Sequence, residues 1–459
     1  MGAKTRMIDV WVTGSSLAAL DAALAFAEVG MSVRVSVDEA DVDLPVGPQR
    51  DPDGALAAFV ARVGAELPGE ASGVHPAPEL RVFAPESVLL RGVDGALHPL
   101  EETAVLGIPT TPLAASVIAL LGGGGAFRAY LDRLRPLLKI GKEQRLGPLV
   151  RSRLGAKAER VLVDPIVRER VGVPSSEVDT ARLAPGLNEA LSRVGSLSGA
   201  ALSYGDRNVA RETTVEPVGG WGKLRAAMLA RLALYSVELV EDRPVVAIGR
   251  PAEGSGWMVR CHGAAAAEDE RVRAVVIDVA GSTYRADALG FAEDPALTAP
   301  DTRAYVEIGI QRPAWLRAAP GSPHAEVPAL LTLSGPEANV ADWTVRVLPR
   351  GGAWRAQFAS PRRASGVRSA KPDLVALCAA AQVIELPAEG SGRIDWSSIG
   401  TPLSVADEHA RLDAIAEFDA AHTALRPTGA AWAGGDWALA IGEARPRMIE
   451  LRRTLLGIA

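Results

Sequence analysis

Residues 8–37, IDVWVTGSSLAALDAALAFAEVGMSVRVSV, are the stretch on which the fold turns. Ile8–Thr13 is short, apolar and stopped at once by Gly14, which predicts a buried strand. Leu17–Val29 then carries Leu17, Leu20, Leu24 and Ala27 on one helical face, and Gly30 stands where a helix C-terminus wants glycine. Ser32–Val37 predicts a second strand. Strand, tight turn, helix, turn and strand in about 30 residues make a βαβ unit, whose parallel strands require a right-handed crossover.

Further along, the pattern changes several times. Ala55–Leu67 is an amphipathic patch inside the Asp-, Pro- and Gly-rich segment Asp38–Gly73. Phe127–Val194 is mainly helical, cut into short pieces by Pro136, Pro148, Pro165 and Pro174. Gly122–Gly125 reads as a flexible link, and Pro112–Leu121 is apolar enough for a buried helix, a membrane contact or a greasy ligand. PVGGWG, residues 217–222, leads into a helix over Lys223–Ala233. Strand runs follow at Val237–Val240, Trp257–Cys261 and Val272–Val279, with a hairpin loop at Gly263–Glu270 between the last two. AYVEIGI, PALLTLSG, WTVRVLP and AWRAQFA, between Arg303 and Ser360, are spaced like an antiparallel sheet. Ser404–Ala424 reads as a helix, Ala430–Trp437 as a strand ending in Gly-Gly-Asp, and Arg447–Leu456 as a final helix. The fold class is therefore α/β: a Rossmann-like layer assembled from separated stretches, with a mixed helical and antiparallel-sheet region inserted.

Composition sets the outer limits. With 459 residues the chain has room for about three domain-sized units, or two intertwined ones. Forty-nine basic and 55 acidic residues give a net charge of −6, which argues against an electrostatic nucleic-acid binder. Two distant cysteines exclude a disulfide framework, and with six scattered histidines they leave little for a metal site. Arg outnumbers Lys 43 to 6, a bias that a GC-rich genome produces by itself, so single arginines are not read as ligands. No uninterrupted apolar run is long enough to span a bilayer, and Met1–Arg6 lacks a signal peptide's apolar core. The expectation is a cytoplasmic protein, with peripheral membrane contact left open.

Six segments in this order resemble one family. They are Val12–Leu20 (VTGSSLAAL), Arg153–Pro165 (RLGAKAERVLVDP), Gly219–Ala227 (GGWGKLRAA), Ser236–Ile248 (SVELVEDRPVVAI), Pro402–Ile415 (PLSVADEHARLDAI) and Gly434–Gly442 (GGDWALAIG). Together they resemble the protoporphyrinogen oxidase branch of the FAD-dependent amine-oxidase superfamily over nearly the whole chain. The resemblance implies a discontinuous FAD-binding-type domain (residues 1–85, 205–300 and 400–459) and a substrate-type domain (86–204 and 301–399). It also implies a flavin at their junction, oxidising a bulky apolar substrate.

The cofactor positions implied by that resemblance depart from what a dinucleotide needs. In G-x-G-x-x-G the glycines make the turn, admit the pyrophosphate and let helix and strand pack closely. Here they are Gly14, Ser16 and Ala19. Ser15 and Ser16 suit an N-cap at least as well as an anion cradle. The ribose-binding acid is replaced by Val37, with Asp38 one residue out of phase. Ala40–Pro52 (ADVDLPVGPQRDP) brings three aspartates toward where the cofactor's phosphates would lie. Gly219, Gly220, Val245, Gly435 and Asp436 match the family, whereas Glu443, Arg445 and Arg447 are bulky where the ring needs room. Trp11 and Trp221 flank the expected cleft and suit either pocket filling or plain core packing.

No nucleophile elbow, P-loop or metal-spaced cluster is present, so no catalytic residue is assigned. Three readings stay open: a redox-inactive protein with a decayed FAD site that binds a ligand or protein partner, an active FAD-dependent oxidoreductase of a tetrapyrrole-like or amine substrate, and a prenyl- or GTPase-binding scaffold.

Overall fold

The computed structural model describes residues 7–37, 44–45, 47–65, 78–83, 87–135, 144–208, 213–241, 243, 245–261, 268–279, 291, 297, 301–316, 327–334, 340–350, 352–363, 372–386, 393–398 and 402–458. The opening unit forms as its sequence predicts. Strand β1 (Ile8–Val12) leads through Thr13–Ser16 into helix α1 (Leu17–Ala27), and β2 (Val33–Val37) returns parallel to β1. Gly30 takes the left-handed conformation at φ 78° between α1 and β2, which a side chain would resist.

Helix α1 is buried on every side, where the sequence suggested a single apolar face. The sheet lies along it, and the helices Gly220–Leu234 and Trp437–Leu456 pack on it elsewhere. Alanines at 18, 19, 22, 23 and 25 allow that close approach. Asp21 sits inside this core and is held by Arg62 at 2.6 Å and Arg445 at 3.4 Å. Burial pushes the Asp21 carboxyl up, against the pull of both guanidinium groups.

The main sheet runs Glu238–Glu241, β2, β1, Glu268–Asp278, Trp257–Cys261, Val245–Gly249, and Leu425–Thr428 also pairs with Glu268–Asp278. Four neighbouring pairs are parallel: Glu238–Glu241 with β2, β2 with β1, β1 with Glu268–Asp278, and Glu268–Asp278 with Leu425–Thr428. The long strand Glu268–Asp278 pairs antiparallel with Trp257–Cys261 along its first half and parallel with Leu425–Thr428 along its last. Alternation assigns the faces: Val10, Val12, Ala274 and Val276 pack toward α1, while Trp11, Val275 and Ile277 face the other way.

A second sheet of seven strands runs Arg393–Ser398, Thr302–Ile310, Ala353–Ala359, Thr344–Arg350, Ala329–Thr332, Leu89–Arg91, Leu97–Pro99. The antiparallel pairing expected between residues 303 and 360 is present. The short helices expected between 127 and 194 are present as well, on a separate apolar core.

Three expectations are corrected. Ala430–Gly435 is a turn, and the strand is Leu425–Thr428 just before it. Glycines 429, 434 and 435 all have positive φ, which breaks extended pairing however apolar the alanines and Trp432 between them are. The last helix starts at Trp437, ten residues earlier than Arg447, because Asp436 caps it. The glycine run continues a helix, Ala115–Tyr130, broken only by the non-helical Gly122. That helix buries Val117, Leu120 and Leu121 and leaves Ile118 exposed.

Candidate functional site: the crevice at the strand ends

In open α/β sheets, ligands bind beyond the carboxyl ends of the strands, where the strand order reverses. Here the chain goes from β1 outward to β2, and Glu268–Asp278 flanks β1 on the other side. The crevice position between them is occupied by Gly14–Ser16 and by the last residue of the neighbouring strand, Asp278.

Asp278 bonds to the residue that caps α1. Its Oδ2 accepts from the Ser16 amide at 2.9 Å, and its Oδ1 accepts from the Ser16 hydroxyl at 2.7 Å. Its own amide donates to Thr13 Oγ1 at 3.1 Å. The Ser16 hydroxyl in turn caps α1 by accepting from the Ala19 amide at 3.3 Å. An anion at a helix N-terminus is favoured by unpaired amides and by the helix dipole. Burial works against it and pushes the Asp278 carboxyl up to about 6, while the Ser16 hydroxyl and amide pull it down.

The glycine next door is shaped to this carboxylate. A Cβ on Gly14 would lie 2.5 Å from Asp278 Oδ2 and 2.7 Å from Asp278 Cβ. The absence of a side chain at Gly14 therefore makes room for the aspartate. On the next strand Thr428 is paired in register with Asp278, so their side chains share the α1 face. Thr428 Oγ1 is buried with no hydrogen-bond partner among the described residues. The turn at Gly429 follows directly, and a Cβ there would lie 3.0 Å from Asp278 Oδ1.

Ser15 is engaged from the opposite side. Arg225, buried on the helix Gly220–Leu234, donates Nε to the Ser15 carbonyl at 3.1 Å and Nη2 to its hydroxyl at 2.9 Å. The helix carrying Arg225 starts from the left-handed Gly219 and Gly220, at φ 92° and 82°. These two glycines set the direction of that helix.

Two more helix starts use the chain's own carboxylates. Asp51, from the aspartate-rich segment 40–52, accepts from the Leu56 and Ala57 amides at 2.9 Å each and so caps Ala55–Val63. Asp436 accepts from the Leu439 amide at 3.0 Å and caps Trp437–Leu456. Gly435 closes the preceding turn through its amide on the Ala430 carbonyl at 2.6 Å.

The sequence-predicted residues thus separate into groups. Gly14, Ser15, Ser16 and Ala19 gather at the crevice. Gly219, Gly220, Gly435 and Asp436 shape the helices that reach it. Val245 packs against the cluster of Trp11, Trp257 and Val259 on the sheet face turned away from α1. Arg445 is drawn to Asp21 and to Glu28 at 2.6 Å. Arg447 pairs with Asp419 at 2.8 Å, and Glu443 approaches Arg411 at 3.9 Å. Val37 is a buried core residue, and Asp38 lies outside the described residues. Trp11 and Trp221 are core residues bonded through Nε1 to Ser36 Oγ at 2.9 Å and the Gly47 carbonyl at 2.8 Å. Asp278, Arg225 and Thr428 escape sequence reading. The available signal was the lone acid closing the buried run AVVID, residues 274–278.

Among the described residues no group of His, Cys, Asp and Glu could hold a metal ion, and no helix is long and apolar enough to cross a membrane.

No family model matches the chain. Coproporphyrinogen III oxidase of Bacillus subtilis (strain 168) is 31% identical over 91 residues, 20% of this chain and 19% of that protein. The match therefore spans about a fifth of the curated relative. A protoporphyrinogen oxidase candidate from Exiguobacterium sp. 255-15 superposes with a TM-score of 0.71 at 16% identity, covering 99% of this chain and 100% of its own. Reduced UDP-galactopyranose mutase gives 0.60 at 13% identity, covering 98% and 96%. Putrescine oxidase bound to putrescine gives 0.52 at 13% identity, covering 98% and 99%. In fold, and over essentially its whole length, this chain is like the protoporphyrinogen oxidase and amine oxidase group of FAD-dependent proteins.

Proposed function

We propose that this chain keeps the scaffold of an FAD-dependent oxidoreductase without a working cofactor site, and acts as a redox-inactive module that binds a bulky apolar ligand or a protein partner. The observation that carries the reading is Asp278 on the Ser16 amide and hydroxyl, at 2.9 and 2.7 Å. A diphosphate laid on the Gly14–Ser16 backbone would meet that carboxylate. Two unit charges about 4 Å apart repel by about 4 kcal/mol at an effective dielectric of about 20. Ser16 adds a side chain where the pyrophosphate needs bare backbone, and Val37 offers nothing to a ribose hydroxyl. The residues present do not fit FAD, and no reaction step is assigned through it.

A competing reading, an active FAD-dependent oxidoreductase of a bulky apolar tetrapyrrole-like or amine substrate, draws on the turn at Gly434–Asp436. That turn keeps its left-handed glycines and its capping aspartate. The absorption spectrum of the purified protein separates the two. We expect no visible flavin bands and no uptake of added FAD on gel filtration. Stoichiometric flavin in the purified protein would overturn the proposal.

A further inference from the structure

The Asp278 carboxylate does more than obstruct. We infer that it is a built-in ligand of the anion cradle at the α1 N-terminus, and that its removal opens a site there for a small phosphate-bearing anion. The inference rests on the reading above, but it concerns a different property: what the cradle binds once its internal anion is gone.

Four observations carry it. First, the contacts are those of a bound oxyanion: one oxygen on the Ser16 amide, the other on the Ser16 hydroxyl, at the start of an eleven-residue helix. Second, the carboxylate comes from a distant part of the chain, 262 residues from Ser16, so local N-capping does not account for it. Ser16 itself already caps α1 through the Ala19 amide. Third, Gly14 is packed on Asp278 closely enough that shortening the aspartate would leave space directly over the loop backbone. Fourth, Thr428 Oγ1 is buried on the same sheet face, in register with Asp278, and has no partner among the described residues. It is a hydroxyl donor left over beside the carboxylate, which a larger oxyanion with more acceptor oxygens would use. Arg225, held on Ser15, adds positive charge to the same loop.

Inorganic pyrophosphate is the probe, tested by thermal shift and isothermal titration on the full chain as wild type, Asp278→Ala and Asp278→Asn. We expect wild type not to respond, and Asp278→Ala to bind pyrophosphate at least about tenfold more tightly, which is about 1.4 kcal/mol. Asp278→Asn keeps an oxygen acceptor for the Ser16 amide while losing the charge. It should show a smaller gain, and it preserves the test if the alanine variant fails to fold. Adding Thr428→Val to Asp278→Ala should cut the gained affinity. Equal binding by all the Asp278 forms, or none by any, would overturn the inference. Failure here is distinct from failure of the proposed function. Colourless wild type whose Asp278 variants ignore pyrophosphate overturns the built-in ligand alone, whereas wild type that takes up FAD overturns the loss of the cofactor site.

Discussion

Two helices that meet near this crevice satisfy their first turns in contrasting ways. Trp437–Leu456 uses Asp436, the residue just before it, and that residue is exposed. Helix α1 uses its own Ser16 and, beyond that, the buried Asp278. Both helix ends attract negative charge equally well. The local cap stays in water and sacrifices little solvation, so it stabilises one helix and nothing else. The remote cap ties two parallel strands and a helix together but gives up the solvation of a carboxylate to do so. A chain that needed only a capped helix would have stopped at Ser16. On the proposed function, the added carboxylate replaces an anion that the fold would otherwise hold.

The sharpest way to break this contrast is by pH. Because the folded Asp278 carboxyl lies at about 6, above its ordinary value of 3.8, between those two values the native state holds a proton that the unfolded chain has released. The contribution is therefore fully present below about 4 and is lost as pH rises through about 6. About two pKa units correspond to about 3 kcal/mol. Urea unfolding should show a steeper slope in wild type than in Asp278→Asn, because the raised Asp21 carboxyl contributes equally to both. An equal slope in the two proteins would assign it elsewhere. A smaller effect is expected at Gly14→Ala, which drives a methyl into Asp278 and should cost about 2 kcal/mol. Asp278→Gly in the same chain should relieve that clash, and additive losses would show that the two residues do not share the space. The smallest effect belongs to the local cap: Asp436→Ala should lower stability by about 1 kcal/mol in thermal denaturation. If it matched the Asp278 effect, the distinction between local and remote caps would fall.

Local features were legible in the sequence, and long-range ones were not. The βαβ unit could be read because its strands, turn and helix are consecutive and each carries its own period. The order of six family-like segments carried the architecture. Ser16 as an N-cap was legible because the bond to Ala19 spans three residues. The strand Leu425–Thr428 was missed because LRPT has neither alternation nor an apolar run; its pairing with Glu268–Asp278 defines it. AAWAGGDW misled in the other direction, since its apolar residues fill a glycine turn. Asp278 was hidden for a deeper reason. At the end of an apolar run an aspartate reads as a strand exit into solvent. Only the sheet order, which sets that strand beside β1, turns it inward.

That strand order also fixes when the crevice can first exist. The Ser16–Asp278 contact joins residues 262 positions apart. At about 5–20 residues per second, a ribosome needs on the order of tens of seconds to travel from one to the other. During synthesis, β1, α1 and β2 emerge long before both strands that flank them, Glu238–Glu241 and Glu268–Asp278, and before the carboxylate that bonds the Ser16 amide. The contact can therefore form only once a strand near the chain's middle has been translated.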